Sequence, residues 1–256
     1  MTAAAATSPA PSAYGGFLPD LASTRQYLGA WAKLSVVQYF VAEAAVISAW
    51  GGRQPYDRRS GFISDLGAVS CGSYQDRDVC SPLHLLMNAS FVVQGLGMLL
   101  GAVLLSSALL CIAAQTGARV PAGAGHRLPR IGAVAARVLT GVAGAGTMIV
   151  GLVPEDLRSA WHFAGALMFF IGGSVALLLL GWLWLKRTPV GWFVLACGGV
   201  SFAALVTGGL TGMQVADPGT LERLMGYPIT IGLATVGLVI AQRVRQERQA
   251  RKAAGT

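Results

Sequence analysis

The acid–base and ligating side chains of this 256-residue chain are few: three histidines, eleven carboxylates and four cysteines. Those with suggestive spacing fall in three places: Ser64 with Asp65, His84 with Asn88, and Glu155 and Asp156 with His162. His84 and Asn88 would share one face of a helix. Imidazole beside carboxylate can bind a divalent metal, relay a proton or hold a polar headgroup. The same groups also cap helices and tie loops down, as Asp and Ser before helix starts do. Hydrolase signatures are thin. There is no H-E-x-x-H and no G-x-S-x-G elbow, and Ser64 next to Asp65 is not a triad. Capping and tying down the loop is the first expectation for the set, and among functional readings a site that binds a headgroup or small solute comes first. The alternative is a membrane-embedded, metal-dependent hydrolase or lipid-modifying enzyme using His84, His162 and the neighbouring acids. Histidines sharing one ion would have to approach within about 4–5 Å, because the bonds are near 2 Å.

Cys71 and Cys80 are close enough in sequence to bridge, and a disulfide is expected if their loop meets an oxidising compartment. A metal pair would want a shorter spacing and two more ligands. Cys111 and Cys197 lie in apolar segments and read as small hydrophobes. Two charges, Glu43 and Arg137, fall inside apolar segments, where ionisable groups are costly. A pair between them must span a depth difference of ~8–10 Å at 1.5 Å per residue. Arg137 can instead snorkel to the headgroups, and Gln94 is another partner for Glu43. No two histidines sit at the depths that a transmembrane haem wants, and no cofactor is expected. Gly172-Gly173, Gly198-Gly199 and Gly208-Gly209 could break helices as in transporters, but no mid-span proline accompanies them.

These groups must be positioned by membrane helices. Charged residues make up 12% of the chain and apolar residues 54%, against about 25% charged in soluble domains. Several apolar runs reach the roughly 20 residues needed to cross the hydrocarbon. The fold class is all-α: a polytopic bundle of six transmembrane helices over residues 31–241. The expected spans are 31–50, 83–113, 131–153, 162–185, 190–212 and 224–241, the last with Pro228 in its first turns. Residues 1–30 read as a disordered tail in which Phe17, Leu18, Leu21, Tyr27 and Leu28 could form an interfacial helix. Residues 242–256 read as a basic cytoplasmic tail. All six tryptophans fall near predicted helix ends, the pattern of interfacial belts. Gly97 with Gly101, Gly141 with Ala145 and Gly208 with Gly212 are small pairs suited to close helix packing. His84 and His162 each open a returning helix, which has the look of a degenerate repeat.

With the N-terminus inside, the inner segments carry twelve Lys and Arg and the outer loops six. This bias predicts that both termini are cytoplasmic. Eight of the eleven acids then lie outside, as does the cysteine pair. The net charge of +8 follows these topology positions, which argues against a nucleic-acid partner. Membrane lipids are the expected partners, with a second copy of the chain or another membrane protein also open. Abundant Arg, Ala and Gly suggest a GC-rich bacterial genome.

Ile63-Ser64-Asp65-Leu66-Gly67-Ala68, followed by Ser81-Pro82-Leu83-His84 and Asn88, resembles the signature of the bacterial membrane proteins known as domain of unknown function 998. Gly151 to Asp156, His162 and Phe169 to Gly173 resemble a second block of that family. The resemblance implies a six-helix protein of the cell membrane and brings no established activity or catalytic residues. It does not account for the cysteine pair.

Overall fold

Apolar stretches too long for a soluble helix and too poor in charge for a water-facing one produce six helical spans. A computed structural model describes residues 22–75, 77–112 and 127–253. The first span, Thr24–Ser48, comprises α1 (Thr24–Ala32), a 3-10 turn at Lys33–Val37 and α2 (Gln38–Ser48). Within the tight segment Ser35 Oγ donates to the Ala32 carbonyl at 2.7 Å. The second span is α3 (His84–Leu104), and α4 (Ser107–Ile112) follows it. The others are α5 (Arg127–Leu152), α6 (Ala160–Trp184), α7 (Pro189–Thr211) and α8 (Pro218–Ala253).

Neighbouring spans pack around a closed ring: the first span against α3, α3 against α5, then α6, α7 and α8, which returns to the first span. Leu177, Leu180, Ile229, Leu233 and Met98 fill its centre. Arg248 of α8 donates to the Ala22 carbonyl at 2.8 Å and to Thr24 Oγ1 at 3.2 Å, so both ends of the described chain meet on one side. Opposite them, residues 49–75 and 77–83 fold over the bundle as a cap. The cap contains an antiparallel hairpin, β1 (Gly72–Tyr74) and β2 (Arg77–Val79), closed by a Cys71–Cys80 disulfide.

Several boundaries differ from expectation. Residues 24–30, expected in the tail, are helical, and residues 1–21 lie outside the described chain. The second apolar run bends after Leu104, where Gln26 Oε1 accepts from the Ser106 amide at 3.1 Å. Ser106 Oγ then accepts from the Leu109 amide at 3.2 Å and caps α4. α8 starts before Leu224 and continues through the basic segment to Ala253, with Pro228 inside it. There Glu247 bridges Arg243 and Arg251 one turn to either side. Trp184 departs from the interfacial belt. It is fully buried, and its indole donates to the Leu110 carbonyl at 2.7 Å.

Glycine decides how closely two pairs of helices approach. A Cβ on Gly97 would strike Ser35 Oγ and the Ala32 carbonyl, so the Gly97–Gly101 stripe seats the first span on α3. Near the short connection between α6 and α7, Gly181 lies against Leu195 and Gly191 against Trp184. At the cap end Phe163, Leu167 and Phe170 of α6 and Leu205, Gly208 and Gly209 of α7 line an open space between them. The two helices therefore touch at one end and diverge at the other, and neither breaks at its glycine pairs. Gly212 is the left-handed C-cap of α7, so it does not form a packing pair with Gly208.

Candidate functional site

The cap is held down by ion pairs and by side chains bonded to backbone. Asp65 is 2% exposed and grips Arg77 through both oxygens: Arg77 Nε lies 3.1 Å from each, and Nη2 is 2.8 Å from Oδ1. The same Nη2 donates to Glu155 Oε1 at 3.1 Å, and Asp65 Oδ2 accepts from the Phe62 amide at 2.8 Å. The guanidinium also lies over the Phe62 ring, 4.3 Å from its centre. Burial, then the neighbouring Asp65 carboxylate, pushes the Glu155 carboxyl up to about 9. Asp156 Oδ2 accepts from the amides of Val69 and Ser70 at 3.1 and 2.8 Å. Ser81 Oγ donates to the Leu66 carbonyl at 2.6 Å, and Asn88 Nδ2 to the Gly67 carbonyl at 2.9 Å. His84 is engaged locally, its Nδ1 on the Ser81 carbonyl at 3.0 Å.

A second cluster joins cap and bundle at membrane depth. Glu43 pairs with Arg223 Nη2 at 3.1 Å, and Tyr227 donates to the same carboxylate, 2.7 Å from both oxygens. Arg223 is 7% exposed. Its Nη1 donates to the carbonyls of Arg58, Gly61 and Gly219 at 3.0, 2.8 and 3.0 Å, and its Nη2 to Tyr56 Oη at 2.7 Å. Burial raises the Tyr56 phenol well above its ordinary range, so it remains a neutral hydroxyl. This arrangement replaces both expected partners of Glu43. Among the described residues Arg137 reaches only the Leu105 carbonyl at 3.4 Å, and Gln94 Nε2 donates to Thr230 Oγ1 at 3.2 Å. An expected span beginning at residue 224 leaves Arg223 in the loop before it. The available signal was the four-residue spacing of Arg223 and Tyr227, which puts them on one helix face.

Where α6 and α7 diverge, a cavity of about 970 Å³ opens beneath the cap. Phe163, Leu167 and Phe170 form one wall, and Leu205, Met213 and Met225 the other. Its polar end gathers Ser64, Arg77, Glu155, Arg158, His162 and Glu222. A smaller chamber of about 50 Å³ lies next to it, sharing Ser64, His162, Phe170 and Glu222 and adding Tyr39, Gln94, Thr147 and Thr230. The hydroxyl of Tyr39 and Oε1 of Gln94 are buried there without a hydrogen-bond partner among the described residues. His162 Nδ1 contacts the Val153 carbonyl at 2.6 Å. Since a carbonyl only accepts, that nitrogen carries the proton and Nε2 is the free one.

The predicted outer residues thus divide. Ser64, Glu155 and His162 reach the cavity, while Asp65, Asn88, Asp156 and His84 tie down the cap. His84 is not on the cavity wall with His162, and among the described residues no three His, Cys, Asp or Glu side chains are grouped to hold a metal. Glu222, Arg223, Tyr227, Tyr56 and Arg77 carry the polar architecture and were missed as such.

The sequence model of the family described as protein of unknown function (DUF998) matches residues 34–239. The chain belongs to that family. The matched region takes in the cap, the cavity and the Glu43–Arg223 pair. It is a multi-pass membrane protein by its six spans. No curated protein and no solved structure matches the chain.

Proposed function

We propose that this DUF998 protein binds a phospholipid in the cavity between α6 and α7, at the outer face of the cell membrane. The observation that carries the reading is the division of that one cavity into an apolar cleft between diverging helices and a polar end under the cap. An acyl chain needs the first and a headgroup the second. The volume of about 970 Å³ suits the headgroup and upper chain segments of one lipid, with the rest of the chains running out between the helices. The outward orientation is supported by the excess of Lys and Arg in segments at the opposite end and by the disulfide on the cap.

A phospholipid carrying a photoreactive diazirine near the head of one acyl chain, incorporated into vesicles with the protein, tests this. Peptide mapping is expected to place the adducts on Phe163, Leu167 and Leu205. Adducts spread equally over lipid-facing positions of α3, such as Leu100 and Val103, would overturn the reading.

A further inference from the structure

The headgroup can be narrowed by asking which hydrogen-bonding roles remain unfilled around the neck between the cavity and the inner chamber; the inference rests on the lipid reading above. Glu222 stands at that neck, on the wall of both spaces. Glu43 and Asp65 each have an arginine nitrogen within 3.1 Å. Glu222 has no ion-pair partner among the described residues, and its one hydrogen bond is from the Ile63 amide. A carboxylate withdrawn from water with no cation in contact with it is unfavourable, so this position invites one.

The groups around it point the same way. Thr147 and Thr230 donate their hydroxyl protons to the carbonyls of Ala143 and Gly226, and Thr230 Oγ1 accepts from Gln94 Nε2, leaving only their remaining lone pairs for the chamber. Gln94 Oε1 has no donor although the residue is only 2% exposed. His162 has committed Nδ1 to Val153, so Nε2 of the neutral ring offers another lone pair. Tyr39, 3% exposed and without a partner, can take either role. The neck therefore offers acceptors in excess and wants a positively charged donor of hydrogen bonds. A trimethylammonium group has the charge but no N–H; a primary ammonium has three. The chamber, about 50 Å³, has room for such a head and little water beside it.

The rim of the cavity has the opposite character. Arg158, exposed at the C-cap of the Glu155–Leu157 turn with φ of 52°, lines the cavity, and its guanidinium makes no hydrogen bond or ion pair among the described residues. A guanidinium so placed fits a phosphate. We infer that the cavity selects an aminophospholipid of the phosphatidylethanolamine type, its primary ammonium at the neck against Glu222 and its phosphate at the rim against Arg158.

The test uses the full chain in detergent micelles offered phosphatidylethanolamine, phosphatidylcholine and phosphatidylglycerol with identical acyl chains, retention being read by native mass spectrometry. The expected result is roughly tenfold better retention of phosphatidylethanolamine than of either other lipid, a difference of about 1.4 kcal/mol. Glu222→Gln keeps the side-chain shape and an acceptor for the Ile63 amide. It is expected to lower phosphatidylethanolamine retention to the level of phosphatidylglycerol. Equal retention of all three by the unaltered protein overturns the headgroup assignment and leaves the lipid cavity standing. Retention of none overturns both. A preference that survives Glu222→Gln overturns the role of that carboxylate and with it the assignment.

Discussion

Arg223 and Glu222 are adjacent on α8, yet one is fully occupied and the other is not. Arg223 faces the first span and the cap, where a carboxylate, two phenols and three carbonyls surround it. Glu222 faces the cavity, where one backbone amide is its only hydrogen-bond partner among the described residues. A polar network buried in a membrane protein is expected to be completely satisfied when its role is to hold helices together. The first cluster meets that condition. The second does not, and its unfilled positions all border the same two spaces. The contrast separates a joint from a binding site without reference to any catalytic motif.

The largest effect is expected at the joint. Arg223→Met leaves Glu43 buried without its cation and several acceptors without a donor, at a cost of about 3–5 kcal/mol. Thermal unfolding in detergent is expected to show a collapse of the folded fraction. Glu222→Gln, one residue away, is expected to cost about 1 kcal/mol or less, since the Ile63 amide keeps an acceptor. Equal losses in the two variants would erase the distinction between joint and site.

The cap provides an intermediate case. Asp65→Asn removes the charge from a two-oxygen grip on Arg77 and is expected to cost about 1.5–3 kcal/mol, the range for hydrogen bonds to charged groups. Because Arg77 also holds Glu155, amide exchange should quicken in β1, in β2 and at residues 155–158. Exchange confined to the neighbourhood of residue 65 would show that Arg77 does not couple the two segments.

Glu155 adds a smaller, pH-dependent effect. Its carboxyl is raised to about 9 by burial and by Asp65, so the folded protein keeps a proton that the unfolded chain releases near pH 4.3. This contribution to stability is fully present below that value and is lost as pH rises towards 9. Melting temperature measured across this interval should fall with pH, and Glu155→Gln should flatten the slope. A slope unchanged by the substitution would assign the pH dependence to other groups.

The sequence made some of this legible. Long apolar runs can only be spans, so their number was readable from composition. The Cys71–Cys80 bridge followed from spacing and from the loop in which it lies, and the gathering of Ser64, Glu155 and His162 at one end followed from where their helices start. The partner of Glu43 did not. It depended on where α8 begins, and that is set by tertiary contact. The amide of Gly219 donates to the Arg59 carbonyl at 2.7 Å, in a space where a Cβ would strike the Gly61 carbonyl. Only a glycine lets the helix start beneath the cap, and that start carries Arg223 inward. The cavity was equally hidden. It results from glycines that draw α6 and α7 together at one end, and a list of Gly positions does not say which end. His84 and His162 looked equivalent because each opens a helix, but the first bonds within its own turn and the second reaches the cavity.

Filling the cavity tests the central claim most directly. Gly209 lies on its wall, and a side chain there meets no atom within 4 Å of its Cβ, so Gly209→Trp should occupy the lipid's place without disturbing the fold. The measurement is the phospholipid that stays bound to the purified protein, counted by native mass spectrometry alongside the melting temperature. The account predicts one retained lipid on the unaltered protein and none on the variant, at closely similar melting temperatures. The same lipid count on both proteins would contradict it.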